Sequence, residues 1–352
     1  MLGAAAAVVV AALVQVGCDL GEPDTLPAGG PALQLVATYP APGDGTDCTP
    51  DSPLDCGVPI DAAIELRFDR FLLPSTAVRQ SLSVFTGANG VFLVPTYDPA
   101  ERIVVYRLPG GGTWLPNVRY TVEIFRPSEH PEAWGFRAFD GVGLSDEGPA
   151  PLRFTFRTRR DPTRTAAPVG APPTFAAASE ALARGGCAAA GCHRGPDPTR
   201  CPVSGGEADA ASCAAPRMGL DLGSARGVGA TALGRVAHQT DNGPNAGEVR
   251  TASSVGAGMP IIDPASPGSS YLYFKLLVND RYGPHAPRCA TRYSAPVVDG
   301  CEATLEAEVA RLRAAFVWGS PMPLGADGPA PRLPDADLQL LGDWIASGAA
   351  LE

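Results

Sequence analysis

Cys187, Cys192 and His193 stand together in the stretch RGGCAAAGCHRG, two thiols on one short segment with an imidazole directly after the second. Such a set has few uses. Two thiols can fix the edge of a porphyrin through thioethers while the adjoining imidazole reaches its iron from one face. C-x-x-C-H is the usual spacing for that chemistry. Here it is C-x-x-x-x-C-H, so two extra residues must bulge out, and Ala188, Ala189, Ala190 and Gly191 are small enough to do so. The competing use of the same thiols is a small disulfide beside a surface histidine, which an oxidising compartment permits. Iron held by a histidine in an electron carrier commonly takes a methionine thioether on its far face. Beyond Met1 the sequence offers Met218, Met259 and Met322. Met322 sits between two prolines in SPMPLG, and Met259, in GAGMPII, is its rival. His238 is a further donor, but it reads more simply as a satisfied surface or core histidine. His130 and His285 lie in proline-rich loops and receive no role. No nucleophile–base pair or phosphate loop stands out. LPGGGTW at 108–114 lies between strands with no helix after it and reads as a turn.

The other cysteines say where the chain is expected to work. An apolar run from Leu2 to Val16 ends in small residues and Cys18. It is short for a membrane span and of the right length for the core of a signal peptide. The run resembles a bacterial lipoprotein signal, which implies cleavage ahead of Cys18 and lipidation of that residue. Export allows disulfides, and the simplest sequence-local pairing is Cys48–Cys56, Cys201–Cys213 and Cys289–Cys301.

Charge excludes one class of partner. The formal net charge is −10 and no basic stripe is present, so nothing is available to neutralise nucleic-acid phosphates. Lys275 is the single lysine among 27 basic residues, which reads as compositional bias. Gly 41 and Pro 37 in 352 residues point to many turns and linkers.

The elements that must position these residues fall into two parts. Residues 1–17 read as the signal segment and 18–32 as a flexible tether. From 33 to 158 short strands alternate with turns: LQLVAT, AAIELRFDR, SLSVFTG, GVFLVPTYD, RIVVYRL, RYTVEIFR and LRFTFRT. In AAIELRFDR, Ile64, Leu66 and Phe68 alternate with Glu65, Arg67 and Asp69, the period of a half-buried strand. Seven strands over this span suit an immunoglobulin-like β-sandwich. YPAPGDG, LPNVRYTVEI, FDGVG and the closing FTFRT, in that order, resemble the bacterial Ig-like modules of surface-layer and cell-envelope proteins. Tyr120 then belongs at a strand corner. Residues 159–173 are a proline-rich spacer. From 174 to 352 the pattern turns helical. Leu338, Leu341, Trp344 and Ile345 form one apolar face, as do Leu305, Val309, Leu312 and Phe316. Asp335 or Asp337 can cap the last helix and Gly348 can stop it. No strand signal appears there, so the expected fold class is an all-β immunoglobulin-like sandwich followed by an all-α domain.

The pieces CAAAGCHRG, MGLDLGS, PASPGSSYLYFKL, PMPLG and LPDADLQLLGDWIASGA, in this order, resemble the cytochrome c-like domains of large envelope proteins in planctomycetes and myxobacteria. The resemblance implies a covalent haem c on Cys187 and Cys192, with His193 as proximal and Met322 as distal iron ligand. Trp318 and Trp344 could line the pocket, or be plain core. The expectation is an exported lipoprotein of the cell envelope, held to the membrane by its lipid. It transfers single electrons to a redox protein partner and is an electron carrier, not an enzyme, with no small-molecule substrate. It could also be a subunit of a larger oxidoreductase. The alternative is a haem-free, disulfide-stapled envelope binding or scaffold protein.

Overall fold

The computed structural model describes residues 30–127, 135–163, 171–188, 192–195, 216–237, 258–279, 285, 306–315, 322, 324–325, 328–329 and 332–352. Cys18, Cys201, Cys213, Cys289, Cys301, His130, His238 and Trp318 lie outside the described residues.

The amino-terminal half forms two antiparallel sheets of four strands each. The first contains β1 (Leu35–Tyr39), β2 (Ile64–Phe68), β5 (Val94–Asp98) and β6 (Ile103–Arg107), ordered β1-β2-β6-β5. The second contains β3 (Leu82–Thr86), β4 (Asn89–Gly90), β7 (Arg119–Ile124) and β8 (Arg153–Arg157), ordered β4-β3-β7-β8. The seven segments that alternate in sequence coincide with β1 to β3 and β5 to β8. In β2, Leu66 stands opposite Thr38 of β1 and Val104 of β6. This register lays Ile64, Leu66 and Phe68 in the core. Phe68 meets Phe136 with ring centroids 4.8 Å apart. Trp114, Tyr120 and Phe156 pack as a second aromatic group. The Tyr120 hydroxyl accepts the Leu115 backbone N–H at 3.1 Å, which fixes the corner before β7. At 109–111 the chain makes a short 3-10 turn, with Gly110 at φ 62°.

The other face of β2 departs from the half-buried expectation, because all five of its residues are buried. Arg67 donates from Nη1 to the Glu101 carbonyl at 2.8 Å and from Nη2 to its carboxylate at 3.4 Å, while its Nε is buried without a hydrogen bond among the described residues. Glu65 lies beside a small apolar group of Ala63, Ile103 and Val105. Burial pushes its carboxyl up to about 8, against the opposing pull of Arg107 and Arg67.

The described carboxy-terminal residues hold five short helices: α1 (Phe175–Arg184), α2 (Ala225–Thr231), α3 (Tyr271–Leu277), α4 (Glu306–Ala315) and α5 (Asp335–Ala346). They also hold a two-stranded ladder, β9 (Leu324–Gly325) with β10 (Gly328–Pro329). Thr174 caps α1 through the Ala177 N–H, and Ser224 caps α2 through the Gly227 N–H. Neither Asp335 nor Asp337 caps α5. Its N-cap is Pro334, and the two carboxylates are taken by Arg332 and Arg184 instead. Gly348, at φ 105°, follows the end of α5 as expected.

The expected fold class, an immunoglobulin-like sandwich followed by a distinct all-α cytochrome c-like domain, is therefore corrected. Among the described residues ten strands stand against five short helices, and the helical part carries a ladder of its own. The two parts also share a core, since buried side chains from both sheets and from α1, α3, α4 and α5 form one cluster. Helices of 7 to 12 residues offer too little apolar face to close a core by themselves. They share one with the sheets. Arg70, at the end of β2, donates to Asp140 at 2.6 Å and reaches Glu308 of α4 at 3.0 Å. Gly268 lies so close to Tyr97 of β5 that a Cβ there would stand 2.3 Å from the ring.

Candidate functional site

The site starts at the end of α1. Gly185 and Gly186 follow Arg184, and Gly186 takes a φ of 75°. The Cys187 N–H turns back to the Leu182 carbonyl at 2.9 Å, a glycine-terminated helix stop. Cys187 is thereby fixed at the helix end and is buried. The His193 N–H donates to the Cys187 carbonyl at 3.2 Å, which ties the two residues together.

A second segment holds the loop from outside. The Leu222 N–H donates to the His193 carbonyl at 2.6 Å. Asp221 accepts from the Gly195 and Gly223 N–H groups, both at 2.9 Å. Its own N–H donates to the Thr231 hydroxyl at 2.9 Å, which ties the segment to α2. Asp221 is therefore a positioning residue. The sequence signalled it only as part of MGLDLGS.

A cavity of about 240 Å³ opens beside this loop. Cys187, His193 and Met322 all line it. Its walls are mainly apolar, with Leu220, Leu222, Ala237, Ile261 and Leu272 among them. Met322 is held by its backbone: its N–H donates to the Lys275 carbonyl of α3 at 3.3 Å, and its carbonyl accepts from the Asn279 side chain at 3.1 Å. The rival Met259 is fully buried but is not among the lining residues, and Met218 lines the cavity while largely exposed. Cys192 is half-buried and is not in the lining.

Cys187 and Cys192 are both free thiols, whereas Cys48 and Cys56 form a disulfide. Burial, then the neighbouring Cys192, pushes the Cys187 thiol up to about 12. It is protonated at neutral pH and poorly suited to thiol–disulfide exchange, which needs the thiolate. His193 is nine-tenths buried. Trp344 is buried core, stacked at an angle on Phe175 with its indole N–H donated to the Ala350 carbonyl at 2.9 Å, and it does not line the cavity.

Two residues that the sequence left without a role are built into the same region. Lys275 lines the cavity from α3 and is only 6% exposed. Burial lowers its ammonium to about 8. His285 is buried against the start of α5, with Nδ1 2.8 Å from Asp335 Oδ1 and 2.8 Å from Arg332 Nη1. A single ring nitrogen cannot donate to the carboxylate and accept from the guanidinium at once, so the tautomer decides which bond forms. Burial pushes the imidazole below its ordinary value, with Asp335 pulling the other way.

Among the described residues no group of three or more His, Cys, Asp or Glu could hold a bare metal ion. The cavity lining does bring together the His193 imidazole, the Cys187 thiol and the thioethers of Met218 and Met322, whereas Cys192 lies outside it.

No family model matches the chain, and no curated protein matches it. Among solved structures it is similar to the N-terminal part of the bacterial S-layer protein SbsC, with a TM-score of 0.23 and 11% identity over 37% of this chain and 24% of that one. Domains 1–6 of surface layer protein SbsC give a TM-score of 0.24 and 10% identity over 41% of this chain and 16% of that one. The chain thus spans a quarter or less of these proteins. No helix among the described residues is long and apolar enough to cross a membrane.

Proposed function

We propose that the chain carries one covalent haem c and transfers single electrons to and from a redox protein partner in the cell envelope. One observation carries this reading: Met322, far along the chain from the Cys187–His193 loop, lines the same mainly apolar cavity as Cys187 and His193. In the proposal, Cys187 and Cys192 hold the group through thioethers, His193 is the proximal ligand and Met322 the distal one. Bound there, the haem would supply a ferric–ferrous couple, with histidine–methionine ligation raising its potential. The chain's own residues orient and exclude. Asp221 and Leu222 hold the His193 loop, Lys275 and Asn279 hold the Met322 backbone, and the apolar wall keeps water away. Two protein ligands leave no vacant iron position, so the reading is an electron carrier, alone or as a subunit of a larger oxidoreductase.

Export and lipidation at Cys18 belong to the same proposal. The Cys48–Cys56 disulfide supports an oxidising compartment, and the run Leu2 to Val16 ahead of Cys18 supports a lipoprotein signal.

The test is expression with a haem-attachment system, followed by denaturation and extraction. The wild-type chain retains its visible absorbance, and a Cys187→Ala, Cys192→Ala double variant loses it. A wild-type chain that surrenders all colour to the solvent contradicts the proposal and favours the haem-free scaffold.

A further inference from the structure

The cavity is mainly apolar, but its charged lining is of one sign. Among the described residues it carries Lys275 and Arg235 and no acidic side chain. Lys275 comes from the middle of α3, a helix whose seven residues are all buried. Its Nζ lies 5.9 Å from the ring centroid of Tyr271, another lining residue. Arg235 is exposed and follows α2, its Nε donating to the Ala230 carbonyl at 3.2 Å. One cation is therefore set inside the wall and the other near the surface. Thr231, another polar lining residue beside His193 and Tyr271, is already committed: its hydroxyl donates to the Gly227 carbonyl at 2.8 Å and accepts the Asp221 N–H. It has little capacity left to choose a ligand.

An apolar wall with two cations selects for an apolar body bearing an anionic group. Inside a low-dielectric wall a charge-assisted hydrogen bond to a carboxylate is roughly twice as strong as a neutral one. We infer that Lys275, with Arg235 at the surface, binds a carboxylate of the molecule that occupies the cavity. The inference rests on the haem reading and makes it more specific: the carboxylate is a propionate of the porphyrin. Because the Lys275 carbonyl accepts from Met322, one residue of α3 would hold both the carboxylate and the backbone of the distal ligand.

The experiment compares haemin with haemin dimethyl ester, which has the same macrocycle and no carboxylate. Each is titrated into the full chain made without haem attachment, and binding is read by the visible spectrum. Wild type, Lys275→Met and Lys275→Arg are compared, with far-UV circular dichroism recorded for each. Esterification is expected to weaken binding to wild type and to Lys275→Arg by at least tenfold. It should change binding to Lys275→Met by less than twofold. Equal affinity of the wild type for acid and ester overturns the inference, and so does equal sensitivity of Lys275→Met. If Lys275→Met does not fold, the wild-type comparison still decides. A chain that prefers the acid yet retains no covalent haem in the attachment host keeps this inference and loses the covalent reading. A chain with covalent haem that ignores esterification does the reverse. Binding of neither compound overturns this inference.

Discussion

Removing the Arg70 guanidinium should loosen both halves of the molecule together. Arg70, Asp140 and Glu308 all have side chains between 2% and 4% exposed, and the N–O separations are 2.6 and 3.0 Å. At an effective dielectric of about 20, pairs at those separations attract by roughly 5.5–6.5 kcal/mol each. Most of that offsets desolvation while the pair is intact. Once one partner is deleted, the remaining buried charges are left uncompensated, at a cost of about 3–5 kcal/mol. Glu308 keeps a contact with Arg311, and Asp140 has no second guanidinium among its described bonds, which places Arg70→Met inside that range. The assay is urea unfolding followed by hydrogen exchange at peptides covering β7 and α5. Since Arg70 joins the end of β2 to α4, protection should fall by the same free energy in both peptides. The exposed pair Arg126–Asp146 provides the control, and Arg126→Met should cost less than about 1 kcal/mol. The reasoning is refuted if Arg70→Met costs no more than that control. It is refuted equally if β7 loses protection while α5 retains it.

Three further outcomes are expected. Replacing Cys48 and Cys56 by serine frees a loop of sequence separation 8 and should cost about 2.5 kcal/mol in urea unfolding by chain entropy; an unchanged midpoint would mean the link does not form. Trp344→Ala removes the largest fully buried side chain and its hydrogen bond to Ala350, so thermal unfolding should show a loss of about 3–5 kcal/mol. His285 supplies the pH dependence. Its folded-state affinity for a proton lies below that of the unfolded chain, so its contribution is complete above about 6.5 and is lost as pH falls below that. His285→Gln should flatten the stability profile just below pH 6.5, and an unaltered slope there would assign the effect to another group.

What the sequence made legible follows from range. Strand positions were readable because alternation such as Ile64, Leu66, Phe68 is a local pattern, and the Cys187–Cys192–His193 loop because its members are neighbours. Helix faces such as Leu338, Leu341 and Trp344 were readable for the same reason. β9 and β10 were not, since two-residue strands are too short to show any period. The joined core was hidden because its ion pair, Arg70 with Glu308, spans 238 positions. His285 looked idle in a proline-rich loop because its partner Asp335 is 50 residues away. Asp335 and Asp337 looked like caps because local chemistry favours that role, and the arginines that claim them are set by tertiary packing. Lys275 gave no signal as the lone lysine of an apolar helix, because the cavity it lines is assembled from segments distant in sequence.

The intact mass of the unfolded chain, measured with a titration of its free thiols, bears most directly on the central claim. For protein made in a host that attaches haem, the account predicts the polypeptide plus one haem, with neither Cys187 nor Cys192 open to alkylation. A mass equal to the polypeptide alone, with those two thiols alkylated or joined to each other, would contradict it.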